Sequence, residues 1–93
     1  MIQINEYFDG NVKSLAYNSE EGKSTVGVME PGSYEFGTSQ KEIMTVVEGK
    51  MEILLPLESS WKTFKAGESF DVAANTSFKV KVANQVSYLC KYR

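Results

Sequence analysis

The sequence predicts an all-β domain, a sandwich or barrel of short strands. Two observations carry this. Turn-forming pairs and clusters recur at short intervals: Asp9-Gly10, Glu21-Gly22, Pro31-Gly32, Glu48-Gly49, Ala66-Gly67, Ala73 to Thr76 and Asn84-Gln85. Between them lie β-rich runs with period-2 alternation, and no window sustains a capped helical period.

The predicted strands are Val12 to Tyr17, Ser24 to Met29, Ser33 to Thr38, Glu42 to Val47, Lys50 to Leu55, Trp61 to Lys65, Glu68 to Val72, Phe78 to Val82 and Ser87 to Tyr92. Glu42 to Val47 and Lys50 to Leu55 read as a hairpin closed at Glu48-Gly49, where glycine supplies turn freedom. Pro56 ends its second strand for lack of an N–H. Phe78, Val80 and Val82 alternate with Lys79 and Lys81, one face core and one wet. The stripes Tyr34/Phe36/Thr38 and Tyr88/Cys90/Tyr92 are aromatic with polar tips, suited to a core or to a pocket that stacks on a flat ligand. In the central pair, Glu42 shares a face with Met44 and Val46. A carboxylate on an apolar stripe is costly unless paired or used, so Glu42 is the leading candidate for a site.

Composition narrows the chemistry. The 93 residues read as one domain, with no linker or repeat. Net charge is −2, with lysines scattered and no basic stripe, which argues against nucleic acid as a partner. No apolar run approaches the roughly 20 residues that span a bilayer, and the first residues lack signal-peptide character. With the single Cys90, this suits the cytoplasm. There is no histidine and only one cysteine, so a transition-metal site is not expected. Catalysis would rest on carboxylates, hydroxyls, Tyr, Lys and backbone groups.

The spacing resembles the two cupin motifs. Glu42, six residues and Gly49 match the end of the first. Gly67, five residues, Ala73, Ala74, Asn75, two residues and Phe78 follow the second, with Ala73 in place of proline and Phe78 in place of histidine. The two first-motif histidines fall at Phe36 and Thr38. Only the glutamate of the ligand set survives, which implies a single cupin-type (jelly-roll) β-barrel over residues 1–93, metal-free, with Phe36 and Phe78 filling the emptied metal pocket.

The chain also resembles the small pyrimidine/purine nucleoside phosphorylases. The matching pieces are Asn5 to Phe8, Val12 to Ser14, Val26 to Met29, Pro31 to Phe36, Glu42-x-Met-Thr-Val46, Leu54 to Pro56, Ala66-Gly67 and Tyr88 to Cys90. The resemblance implies phosphorolysis of purine and pyrimidine nucleosides to free base and ribose 1-phosphate, with broad base tolerance. It implies no cofactor beyond phosphate as co-substrate. Small cupins often pair through an edge strand or swap one, so a homodimer is expected. Such chemistry passes through a cationic sugar. Glu42 would accept from the ribose hydroxyls and favour that cation. Tyr34, Phe36, Phe78 and Tyr88 would stack on the base. Phosphate would draw on Lys13, Thr38, Thr45 and backbone amides, with Lys13 the leading cation because it lies in the matched Val-Lys-Ser piece. The alternative is a non-catalytic cupin binding a small sugar or nucleotide.

Overall fold

The computed structural model describes residues 1–93 as ten strands and no helix. They are β1 (Gln3–Tyr7), β2 (Val12–Ser19), β3 (Gly22–Met29), β4 (Gly32–Gly37), β5 (Glu42–Glu48), β6 (Lys50–Leu54), β7 (Lys62–Lys65), β8 (Ser69–Val72), β9 (Ser77–Val82) and β10 (Val86–Tyr92). A six-stranded sheet runs β1-β2-β3-β10-β5-β8, and a four-stranded sheet runs β4-β9-β6-β7. All pairings are antiparallel. The two sheets face each other as an open sandwich and do not close into a barrel.

Alternation places the core between them. Val12, Met29, Met44, Val46, Val72, Val86, Tyr88 and Cys90 point inward from the larger sheet; Tyr34, Met51, Ile53, Phe78, Val80 and Val82 answer from the smaller. β5 and β6 are not a hairpin. β5 pairs with β10 and β8, whereas β6 pairs with β9 and β7. Gly49, at φ 94°, is the corner where the chain crosses from one sheet to the other. Both strands carry apolar faces, and crossing lets those faces meet across the core. A Cβ there would stand 3.1 Å from Val86 Cγ2 and 3.3 Å from the Gln85 carbonyl, so packing and φ both ask for glycine.

β1 has no counterpart among the strands expected from sequence. It is an edge strand whose inward residues, Gln3, Asn5 and Tyr7, are polar or amphipathic, while Ile4 is 72% exposed. The outer surface of the larger sheet is apolar in its middle. Ile4, Leu15, Val26 and Leu89 stand side by side in one row across β1, β2, β3 and β10.

Candidate active site

Between the sheets, at the end where β1 overhangs, opens a cavity of about 420 Å³, within the ordinary range for small-molecule sites. Its floor is the concave face of the larger sheet: Asn5, Ser14, Thr25, Tyr88, Cys90, Tyr92, Met44 and Glu42. Its opposite wall is Phe36 and Phe78, whose rings stack at 5.7 Å with a 30° interplanar angle. Phe8 closes one side, tilted against Tyr34 at 5.0 Å and edge-on to Phe36 at 5.5 Å. Phe8 has a φ of 53°, a left-handed conformation uncommon for a bulky residue. The β1–β2 turn holds it there, with the Gly10 N–H donating to the Tyr7 carbonyl and the Asn11 N–H to that of Phe8.

Glu42 is the carboxylate buried at the cavity floor, 9% exposed. The Cys90 thiol, on the neighbouring strand, donates to its Oε1 at 3.4 Å. Burial pushes the Glu42 carboxyl above the usual carboxylate range, and the thiol's hydrogen bond opposes that. Burial also pushes up the Cys90 thiol, reinforced by the nearby Glu42 charge. The Tyr88 and Tyr92 phenols move the same way, again chiefly through burial. At neutral pH these three groups therefore keep their protons and can donate. The Tyr92 hydroxyl lies 3.4 Å from that of Thr25, and Asn5 Nδ2 donates to Ser14 Oγ at 3.5 Å. The floor is thus one acceptor carboxylate among protonated hydroxyl, thiol and amide groups, facing two stacked aromatic rings.

Of the residues singled out from sequence, Glu42, Phe36, Phe78 and Tyr88 come together around this cavity. Tyr34 supports it from behind, packed under Phe8 with its hydroxyl donating to the Glu30 carbonyl at 2.6 Å. Thr38 is committed elsewhere: its hydroxyl donates to the Ala73 carbonyl at 2.7 Å and accepts from the Thr76 N–H at 3.0 Å, tying β4 to the loop before β9. Lys13 lies on the outer face, 3.7 Å from Glu6. The inward neighbours Val12 and Ser14 force that orientation, and the same alternation in the sequence is signal enough to find it. Thr45 also faces outward, hydrogen-bonded to Ser69 at 2.7 Å. Tyr92, on the stripe that the sequence offers to a core or a pocket, also lines the cavity, whereas Asn5, Phe8, Ser14, Lys23 and Thr25 are not singled out from sequence as site residues.

The positions of a cupin metal set do not fit a metal ion. Phe36 and Phe78 offer no donor atom, the Thr38 hydroxyl is engaged, and Glu42 alone presents a ligand oxygen. No three His, Cys, Asp or Glu residues cluster anywhere in the chain.

The two-sheet architecture is that of the cupins. A solved RmlC-like cupin from Shewanella frigidimarina superposes with a TM-score of 0.73 at 16% identity, covering 98% of this chain and 82% of that one. Within that class, residues 2–92 match the profile of the pyrimidine/purine nucleoside phosphorylase family, and the chain belongs to that family. A relative from Pseudomonas fluorescens named pyrimidine/purine nucleoside phosphorylase is 55% identical, spanning 100% of this chain and 99% of its own. One of the same name from Pseudoalteromonas atlantica is 56% identical over 99% of both. A solved structure from Vibrio parahaemolyticus, described as of unknown function, has a TM-score of 0.97 at 46% identity, covering 100% of this chain and 99% of that one.

Proposed function

We propose that the cavity carries out phosphorolysis of both purine and pyrimidine nucleosides, giving free base and ribose 1-phosphate. The observation that carries the reading is Glu42, a buried carboxylate held by a thiol on the floor of an aromatic-walled pocket, in a chain of this family. A ribose seated on Glu42 offers vicinal hydroxyls to its two oxygens. As a phosphate oxygen bonds to C1′, the C1′–N bond breaks and its electron pair leaves on the base nitrogen. That nitrogen takes a proton drawn through solvent from the dihydrogen phosphate ion as it becomes the ester. Positive charge grows on the sugar meanwhile, and a carboxylate already fixed beside it lowers the barrier with little reorganisation. Phe36 and Phe78 offer π-faces, which every base can stack on, and this supports broad base tolerance. No cofactor is needed beyond phosphate.

The test is base release from uridine, inosine, guanosine and adenosine, with and without phosphate, by the wild type and Glu42→Gln. Phosphate-dependent release by the wild type is expected from both purine and pyrimidine nucleosides. A fall in kcat of about 100- to 1,000-fold is expected for the variant. Release without phosphate would make the protein a hydrolase; none from folded protein would make it a ligand-binding cupin. Undiminished turnover in the variant would remove Glu42 from the mechanism.

The protein works, in this reading, as a homodimer joined through the outer face of the six-stranded sheet and not through an edge strand. The apolar row Ile4, Leu15, Val26 and Leu89 carries no charge. Its margins each carry both signs, Glu6 with Lys13 on one side and Lys91 with Glu21 on the other. A second copy therefore meets apolar against apolar and finds an opposite charge at either border, as an isologous contact requires.

A further inference from the structure

We propose that Lys23 is the phosphate anchor of this site. The proposal rests on the phosphorolytic reading above and supplies what that reading leaves open. The cavity lining carries two carboxylates, Glu35 and Glu42, and Lys23 is its one cationic side chain. An ammonium is a compact point charge well suited to an anion.

The register puts it in the right place. Lys91 pairs with Ser24, and Tyr92 pairs with Glu42. One step further along, Lys23 stands beside Tyr92, with its ammonium 5.4 Å from the ring centroid. Lys23, Tyr92 and Glu42 thus form one transverse row on the concave face of β3, β10 and β5: cation, ring, anion. Two strand spacings separate the Cα atoms of the outer pair, roughly 10 Å. That gap lets Glu42 hold the ribose hydroxyls while Lys23 holds phosphate on the same sugar's flank. It also keeps the two charges apart, and Lys23 is in none of the ion pairs of the chain. The backbone under Lys23 is fixed, since Arg93 Nη1 donates to the Lys23 and Tyr92 carbonyls, both at 2.9 Å.

The competing cationic patch, Lys50, Lys65 and Lys81, lines a second cavity on the outer face of the smaller sheet. The core lies between it and Glu42, so it cannot deliver phosphate to a sugar seated there.

Inorganic phosphate is the probe, titrated by calorimetry into the wild type, Lys23→Met, Lys23→Arg and the Lys50→Ala/Lys65→Ala double variant. The phosphate KM at saturating nucleoside is measured alongside. We expect Lys23→Met to weaken phosphate about 10- to 100-fold by both readouts, with nucleoside KM changed less than about twofold, given that Lys23 touches only the anion. Lys23→Arg should recover part of the loss, and the double variant should match the wild type. Phosphorolysis with an unchanged phosphate KM in Lys23→Met would overturn the anchor and leave the activity standing. Phosphate binding lost in Lys23→Met, in a wild type that cleaves no nucleoside, would keep the anion site and overturn the activity. A wild type that neither binds phosphate nor cleaves nucleoside would overturn both.

Discussion

Replacing Gly27 by alanine separates two opposite expectations. Gly27 is in mid-strand on β3 and is absent from the positive-φ positions, so its backbone accepts any residue. At such a position Gly→Ala ordinarily stabilises by about 0.4–1 kcal/mol, because the unfolded chain loses freedom. Here the added Cβ would stand 2.5 Å from Tyr88 Oη, 2.6 Å from its Cζ and 2.8 Å from the Lys13 carbonyl oxygen. The ring could swing away, but the carbonyl belongs to the β2–β3 ladder and cannot yield without disturbing the pairing of Ser14 with Gly27. Overpacking of this kind costs about 1–3 kcal/mol, so the clash outweighs the entropic gain. A net loss near 1–2 kcal/mol corresponds to a Tm lower by about 5–15 °C in a domain of this size. The displaced Tyr88 ring also enters the cavity, so nucleoside KM should rise while phosphate KM holds. Urea and thermal unfolding followed by circular dichroism, with steady-state kinetics, would test both. A Tm equal to or above that of the wild type would refute the claim that Tyr88 packs on the bare β3 backbone.

Three further outcomes follow from the same geometry. Burial raises the Glu42 pKa on folding, so the folded state holds more protons between the ordinary carboxylate value and the raised one. Stability should therefore fall as pH climbs through that window, and Glu42→Gln should be more stable than the wild type at neutral pH but not below the window. Denaturant titrations at several pH values decide it, and a variant less stable at every pH would contradict it. Thr38→Val removes the hydroxyl that bridges the Ala73 carbonyl and the Thr76 N–H, and should cost about 1–3 kcal/mol in chemical denaturation; no loss would show that water replaces it freely. Val26→Glu puts a charge in the middle of the outer apolar row. Sedimentation should show a dimeric wild type and a monomeric variant, and a dimeric variant would move the contact elsewhere.

The strands that alternate cleanly are legible in the sequence alone. Those built on Tyr34/Phe36, Glu42/Met44/Val46, Phe78/Val80/Val82 and Tyr88/Cys90/Tyr92 all present the faces that their residues imply. Pairing is what the sequence hides. Gly49 with positive φ suits a hairpin and a corner between sheets equally, so local chemistry does not say which partner β6 takes. β1 escapes detection because its alternation is inverted: its polar residues face the open end of the cavity and Ile4 faces out, which resembles a solvated tail.

The same distinction explains which site residues can be read. Glu42 is conspicuous because its own strand is greasy on that face, a one-dimensional signal. Lys23 sits beside the Glu21-Gly22 turn, where a lysine is normally a solvated end. Nothing local links it to Tyr92, 69 positions away. Only the β3–β10 register makes them neighbours, and that register depends on a pairing far apart in the chain. A carboxylate can be found by its misfit with immediate neighbours, whereas its counter-charge is found only through the sheet. The fold reconciles the two charges by setting them at opposite ends of one transverse row. Packed side by side they would neutralise each other, and the space a sugar and phosphate need would close.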